Sequence, residues 1–474
     1  MKFEPKTLFR FACFRSNYTR YFAFIKFRFL FETFHKRLAN PPQLPFGKCK
    51  LNHFVTQSSL RRPVILTLTI FFLGCQEQQA PELQQVRTGL DRLASGETQI
   101  LNGLRVGIIT NQTGIASDGK HVADIVAENP NIKLAALFGP EHGIRGQMEG
   151  GYSVSIDTDP KTGAPIYSLY GKTRKPTSQM LAGLDALVFD IQDIGARFYT
   201  YISTMSHAME AAAEHGLKFL VLDRPNPIGG EWVEGPVLDP EHRSFIGVHP
   251  IPLRHGMTVG ELAKMFNEEG WLANGVKADL HVVNCEGWRR EQIFSDFSEN
   301  WTPPSPNVPN LDAALLYPGV GLVETLPNFS EGRGTETPFE VVGAPWLNAD
   351  AVIAELEQAG LEGVAFEKTT FTPKDMPGKA TNNKHDGQMC QGVKFKVSDG
   401  RKLESVKLGF ALLVALQKIH ANELEMNERR VTRFTGQTNI FSMIKSGASL
   451  DELEEFWRPE LEAFIEKRKN YLLY

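Results

Sequence analysis

Three side chains that could perform acid–base chemistry or bind an anion lie close together in residues 137–146, LFGPEHGIRG. They are the carboxyl group of Glu141, the imidazole of His142 and the guanidinium of Arg145. The apolar run at 132–138 predicts a buried strand, which glycine and proline then end. In open α/β sheets, loops at the carboxyl ends of strands line the ligand crevice. We therefore expect Glu141 to be a catalytic acid; the alternative is a loop whose charged groups only pair or cap a helix.

Two other apolar runs, 185–191 and 218–222, also end in polar loops. Their candidate side chains, with those of a charged segment at 331–340, are Asp190, Gln192, Asp193, Arg197, Tyr199, Asp223, Arg224, Asn226, Glu331 and Arg333. Carboxylates beside amide, hydroxyl and aromatic groups suit a sugar, and an arginine suits an acidic substituent on that sugar. Glycoside hydrolysis needs a carboxylic acid of raised pKa and usually a second carboxylate. Glu141 fits the first role, and Asp190, Asp193 or Glu331 fits the second.

Purely structural roles stay open for several of these residues. Asp190 and Asp193 could pair with Arg197, Asp223 could cap a turn, and Tyr199 could belong to the core. The sequence does not choose between these roles and a direct role in catalysis.

The elements that must position these residues alternate between strand and helix. Strands are predicted at 104–110, 132–138, 185–191, 218–222 and 279–284, with a possible short edge strand at 167–170. Because helical patterns lie between several of them, the order implies a parallel sheet. The proline-rich segment 303–309 predicts a linker, so we place one domain at 99–305 and a second at 306–474.

Charge and motif content exclude several classes of function. Residues 1–62 contain 13 Lys and Arg but 2 Asp and Glu, whereas the chain after Cys75 contains 38 basic and 53 acidic residues. An acidic chain of this kind is not expected to bind nucleic acid. It has no dinucleotide fingerprint, phosphate loop, nucleophile elbow or histidine-rich zinc spacing, so we expect no cofactor and no metal. Cys285 and Cys390 could form a disulfide or remain buried thiols.

The N-terminal segment predicts a targeting signal. Residues 61–75 combine two arginines, a short apolar stretch and a final Leu-Gly-Cys, which resembles the signal peptide of a bacterial lipoprotein with Cys75 as the lipidated residue. Residues 76–98 then form a tether. The residue that follows the lipidated cysteine is Gln76 rather than Asp, which implies sorting to the outer membrane. A buried apolar segment is the alternative. Residues 1–60 are expected to be a mis-annotated or disordered extension.

Four segments together resemble one known family. They are LFGPEHGIRG at 137–146, FDIQDIGARFYTYISTM at 189–205, LDRPNPIGG at 222–230 and EGRGTETPFE at 331–340. Their order is that of the exo-β-N-acetylmuramidase family (NamZ type, formerly a domain of unknown function). LRHGMT at 253–258 fits the same pattern, and the resemblance covers residues 85–474.

This resemblance implies a fold and an activity. The fold is α/β, with a Rossmann-like parallel-sheet domain, a smaller α/β (α+β) domain and the active site in the cleft between them. The activity is that of a glycosidase releasing N-acetylmuramic acid from the non-reducing ends of peptidoglycan di- or oligosaccharides in cell-wall recycling. Glu141 matches the family's catalytic acid, and the lactyl carboxylate of muramic acid would explain Arg145, Arg197 or Arg333.

We therefore predict a periplasmic glycosidase that is held at the outer membrane by its lipid anchor alone. Two other functions remain as alternatives. One is a lipoprotein that binds muropeptides without cleaving them. The other is a metal-dependent hydrolase that uses Asp190, Asp193, Asp223 and His142.

Overall fold

The computed structural model describes residues 85–141, 143–146 and 157–474. The predicted extension, the signal peptide with Cys75, residues 76–84 of the tether, and His142 lie outside the described residues. In the described ranges, no helix combines the length and the apolar character that crossing a membrane requires. Cys285 and Cys390 are both buried free thiols, which decides between the two alternatives for this pair.

A seven-stranded sheet forms the first half of the described chain. Its strands are β1 (Arg105–Thr110), β2 (Lys133–Gly139), β3 (Asp157–Thr158), β4 (Pro165–Ser168), β5 (Ala186–Asp190), β6 (Lys218–Leu222) and β7 (Asp279–Val283). Their order is β3-β4-β2-β1-β5-β6-β7, and all neighbours are parallel except β3 with β4. The parallel sheet is confirmed, although β3 rather than β4 forms the edge. The strand order reverses beside β1, which is where ligands bind in open sheets.

Five α-helices of the described residues accompany this sheet. They are α1 (Gly89–Ala94), α2 (Val122–Glu128), α3 (Ser178–Leu181), α4 (Tyr201–Glu214) and α5 (Val259–Glu268). Gly119 has a left-handed φ of 83°, and α2 begins only after His121, whose side chain caps the helix. α5 begins after Thr258, which forms a capping box with Glu261.

The second half is smaller and mixed. Its elements are α6 (Leu311–Val320), a 3-10 helix (Gly321–Thr325), β8 (Val341–Ala344), α7 (Ala349–Gln358), β9 (Val364–Phe371), β10 (Cys390–Val397), α8 (Ser405–Ile419), α9 (Glu428–Thr435), α10 (Asn439–Lys445) and α11 (Leu450–Arg468). The three strands form an antiparallel sheet of order β8-β10-β9. The predicted α/β class of both halves is therefore confirmed.

One large apolar core connects the two halves. It includes Phe189 and Phe219 from the parallel sheet, Leu316 from α6, and Phe395 and Leu412 from the second half. A smaller core covers the other face of the parallel sheet. The described residues accordingly belong to one compact unit, and the boundary at 305/306 stays a prediction.

Candidate active site

A cavity of about 370 Å³ lies at the carboxyl ends of β2 and β5 and is lined by both halves of the chain. Its charged lining residues are Glu141 and Arg174 from the first half and Glu324, Arg333, Lys379 and Arg433 from the second. Tyrosines and phenylalanines form much of the remaining wall, namely Tyr170, Phe198, Tyr199, Tyr201, Phe245, Tyr317, Phe339 and Phe434. The cavity therefore lies in a cleft between the two halves, which is where the family resemblance places the active site.

Glu141 reaches this cavity because β2 ends just before it. Gly143 takes a left-handed φ of 75°, so the chain turns sharply after the carboxylate. Burial and a hydrogen bond to Glu141 raise the pKa of Tyr170 to about 12. The phenol therefore stays protonated at neutral pH. The structure thus brings the carboxyl group of Glu141 and the hydroxyl of Tyr170 together in the cleft.

Glu324 is a second carboxylate in the cavity, and the sequence analysis missed it. It lies in the 3-10 helix after α6, and Nη2 of Arg333 donates to its Oε1 at 2.9 Å. Burial raises the pKa of Glu324, and the charge of Arg333 opposes that rise. Among the cavity residues that the structure describes, Glu141 and Glu324 are the two carboxylates.

Tyr199 belongs both to the cavity wall and to the core, so the two predictions for it were compatible. Its ring packs edge-on against Tyr201 and Tyr317, with centroid distances of 4.9 and 5.7 Å. The hydroxyl of Tyr201 donates to the carbonyl of Pro304 at 2.5 Å, which fixes the aromatic wall to the proline-rich segment. Aromatic rings that line a cavity in this way suit the apolar side of a sugar.

Asp190 does not line the cavity. It is fully buried and accepts two hydrogen bonds from Arg224, at 2.6 Å from Nε and 3.0 Å from Nη2. Arg224 also donates to the carbonyl of Ile115. This bidentate ion pair joins the ends of β5 and β6 to the loop after β1, so the contacts of Asp190 are structural.

Asp193 is also buried outside the cavity lining. Its Oδ2 accepts the amide of Gly195 at 2.7 Å and lies 3.7 Å from Nε2 of His255. The side-chain amide of Gln192 donates to the carbonyls of Asp193 and Pro225, at 2.8 and 2.9 Å. These bonds stabilise the turn that leads from β5 to the aromatic wall.

The two remaining candidates after β6 fix neighbouring backbone. Asp223 is buried and accepts hydrogen bonds from Thr258, the amide of Gly260 and the hydroxyl of Tyr474, each at 2.8 Å. Burial raises the pKa of Asp223 to about 7. Asn226 donates to the carbonyl of Met257 at 3.1 Å. Both therefore hold the start of α5 rather than the cavity.

Two of the three arginines expected to bind the lactyl carboxylate are engaged elsewhere. Arg145 donates to Asp159 at 2.9 and 3.0 Å and to Asp124 at 3.0 Å. Arg197 is buried and donates to carbonyl oxygens of both halves, those of Pro236, Ile251 and Phe434, at 2.7 to 2.9 Å. Burial lowers the pKa of Arg197 to about 9, so it keeps its charge at neutral pH.

Glu331 lies behind Arg333. Its Oε2 accepts Nζ of Lys384 at 2.7 Å, and its Oε1 lies 3.7 Å from Arg333. Although burial raises the pKa of Glu331, Lys384 and Arg333 together hold it below its usual range. Of the candidates, Glu141, Tyr199 and Arg333 thus line the cavity. Direct substrate contact by the others stays a prediction.

A second cavity, of about 510 Å³, is lined by two of the candidate residues, Gln192 and Arg224. The aromatic residues Phe294, Phe297 and Trp301 also line it. It opens among the loops after β1, β5 and β6, so the loops at this edge of the sheet line two cavities rather than one.

Comparisons with known proteins identify the family. Family models of the exo-β-N-acetylmuramidase NamZ match residues 106–312, for the N-terminal part, and 315–474, for the C-terminal part. The chain belongs to the NamZ family. The peptidoglycan β-N-acetylmuramidase NamZ of Bacillus subtilis (strain 168) is 44% identical over 399 residues, which are 84% of this chain and 94% of that protein. The resemblance drawn from the four motifs is confirmed.

Solved structures of the NamZ fold are also similar. A DUF1343 family protein from Bacteroides fragilis has a TM-score of 0.76 and 36% identity, with 83% of this chain and 100% of that chain covered. Another from the same species has a TM-score of 0.67 and 36% identity, with coverages of 82% and 99%. The two-domain α/β fold is therefore common to all three proteins.

Proposed function

We propose that the protein is an exo-acting β-N-acetylmuramidase that releases N-acetylmuramic acid from the non-reducing end of peptidoglycan fragments. The observation that carries this proposal is the pair of carboxylates in one aromatic-walled cavity, with Glu141 in the Gly-Pro-Glu-His motif. Paired carboxyl groups flanking the scissile bond are what glycoside hydrolysis requires. Family membership and the named Bacillus relative support the choice of muramic acid.

The two carboxyl groups have different roles in the proposed reaction. Glu141 gives its proton to the glycosidic oxygen as the bond from that oxygen to the anomeric carbon breaks. The hydroxyl of Tyr170 orients the Glu141 side chain. Glu324, held by Arg333, stabilises the positive charge that develops at the anomeric carbon. Water supplies the new hydroxyl group and its remaining proton restores Glu141, so the products are the free sugar and the shortened fragment.

The first experiment is hydrolysis of a chromogenic β-N-acetylmuramide by the wild type and by Glu141→Gln. We expect release by the wild type and a loss of at least a thousandfold in kcat for Glu141→Gln. Glu455→Gln is the matched control, because Glu455 is exposed on α11, away from the cavity, and pairs with Arg458 of the same helix. A wild type that binds the muramide without releasing the chromophore would support the binding-protein alternative instead.

The metal-dependent alternative is tested by adding a chelator to the same assay. In the described part of the chain, no group of three or more His, Cys, Asp and Glu side chains could hold a metal ion. Asp190, Asp193 and Asp223 instead bind separate partners. We expect activity to persist with chelator, and its loss would favour the metal-dependent hydrolase.

The proposal extends to location. The lipoprotein-type segment at 61–75 supports a protein anchored by lipid at Cys75 in the cell envelope, where peptidoglycan fragments occur. Expression of the wild type and of Cys75→Ala in a Gram-negative host tests this. We expect the wild type in the outer-membrane fraction and Cys75→Ala outside it. Equal fractionation of the two proteins would contradict the anchor.

A further inference from the structure

Cationic side chains outnumber carboxylates among the cavity-lining residues that the structure describes. Of the lining residues that the structure describes, four are cationic and two are carboxylates. Arg333 is paired with Glu324 and lies near Glu331, and Lys379 is paired with Glu336 at 3.2 Å. Arg174 and Arg433 have no carboxylate partner among the described residues. The cavity therefore keeps two positive charges available for an anionic group.

Arg174 is held in a geometry that suits carboxylate binding. Its guanidinium lies over the ring of Phe245 at 4.4 Å, and that ring stacks in turn on His207 at 6.0 Å with an interplanar angle of 9°. Stacking occupies the face of the guanidinium and leaves the N–H donors in its plane free. These donors form the fork that binds a carboxylate through two parallel hydrogen bonds.

Arg433 approaches from the second half of the chain. The next residue, Phe434, packs on Phe198 at 5.2 Å, and its carbonyl accepts Nη2 of the buried Arg197 at 2.7 Å. Arg197 thus fixes the turn of α9 that carries Arg433 into the cavity lining. Arg197 is therefore a positioning residue in this proposal.

The groups beside Arg174 match one particular anion. Phe245 and Ile246 line the same part of the cavity and offer an apolar surface next to the charge. The lactyl ether of muramic acid carries a carboxylate beside a methyl group, and N-acetylglucosamine lacks both. We infer that Arg174 and Arg433 bind this lactyl carboxylate, with Phe245 and Ile246 against its methyl group, and so select muramic acid. This inference rests on the proposed function.

The test compares Arg174→Ala, Arg433→Ala and the double variant on three chromogenic substrates: the β-N-acetylmuramide, its lactyl methyl ester and the β-N-acetylglucosaminide. We expect each single variant to raise KM at least tenfold for the muramide, with kcat changed less than threefold. KM for the two uncharged substrates should change less than twofold. Arg458→Ala, which removes an exposed arginine of α11, is the control and should leave all three unchanged.

Calorimetric binding of free N-acetylmuramic acid and N-acetylglucosamine separates the two proposals. If the wild type cleaves the muramide but the arginine variants keep its preference for muramic acid, the inference is wrong and the proposed function stands. An equal loss for all three substrates also overturns the inference. If the wild type cleaves nothing, yet binds muramic acid in preference and loses that preference with the arginines, the inference stands and the proposed activity fails.

Discussion

At Glu141 and Glu324, the surroundings of each carboxylate decide what it can do. Glu141 follows a strand and accepts a hydrogen bond from a tyrosine, whereas Glu324 is partly buried beside an arginine. Asp190 has the same functional group, but its pairing with Arg224 uses both oxygens. Residue type alone therefore does not distinguish a catalytic carboxylate from a structural one.

The proposed role of Glu324 predicts a large kinetic effect from a small change. Glu324→Gln keeps an oxygen that can accept from Arg333 but removes the negative charge near the anomeric carbon. We expect kcat for the muramide to fall by at least a hundredfold, about 2.7 kcal/mol, with KM changed less than threefold. Steady-state kinetics measures this, with Glu423→Gln on the surface as the control. A variant with more than a tenth of the wild-type kcat would contradict the assignment.

Asp190→Asn tests the assignment of a structural rather than a catalytic role to Asp190. Removing the charge leaves Arg224 buried without its partner, so we expect a loss of roughly 3 kcal/mol in the free energy of unfolding, measured in urea. The kcat of the folded fraction should fall far less than in Glu141→Gln. A variant of normal stability whose kcat falls a thousandfold would return Asp190 to the catalytic set.

Sequence could identify Glu141 because its neighbours are unusual, and could not identify Glu324, Arg174 or Arg433. The segment around Glu324, GLVET, is mostly apolar and has no cluster of polar residues. Arg174 and Arg433 become a pair only when the two halves pack together. Conversely, the sequence shows that Arg145 and Arg197 are cations, but not that Asp159 or backbone carbonyls already engage them.

At the scale of elements, the strands were predictable and α6 was not. Buried strands such as β1 and β5 are short apolar runs ended by polar loops, which is a local signal. Residues 313–320 of α6 are all buried, so the helix has no polar face and no amphipathic period to detect. The predicted boundary lies just before this helix, whose burial depends on both halves.

The junction of β6 with α5 predicts a pH effect on stability. Because the pKa of Asp223 is raised to about 7 in the folded protein from 3.8, folded Asp223 holds its proton where the unfolded chain has lost it. Its contribution to stability is full below pH 4 and is lost as the pH rises through 7. Asp223→Asn should remove this dependence. We expect the stability of the wild type relative to the variant to fall by about 2–4 kcal/mol between pH 4 and pH 8.

Urea denaturation of the two proteins at several pH values measures this difference. Comparing the wild type with Asp223→Asn removes the pH dependence that comes from titratable groups present in both proteins. A difference that stays constant with pH, or that increases as pH rises, would contradict a raised pKa at Asp223.

At the scale of the whole molecule, the shared core predicts cooperative unfolding. The same apolar cluster includes residues of both sheets, so neither half can lose its structure without exposing the other. Calorimetry should show one transition, and the separate segments 85–305 and 306–474 should fail to fold. Two resolved transitions, or a folded half, would show that the domains predicted from the proline-rich linker are independent.

The buried guanidinium of Arg197 has a consequence for how a glycan is shortened. Carbonyls from both halves surround this charge, so hinge bending that parted the halves would break its hydrogen bond to Phe434 and leave a buried guanidinium donor unpaired. A cleft that does not open admits a glycan chain only by its end. After each cleavage the shortened glycan must dissociate and bind again, because the cleft does not open to let the glycan slide forward. Shortening should therefore be distributive, with fragments of every intermediate length present early in a digestion.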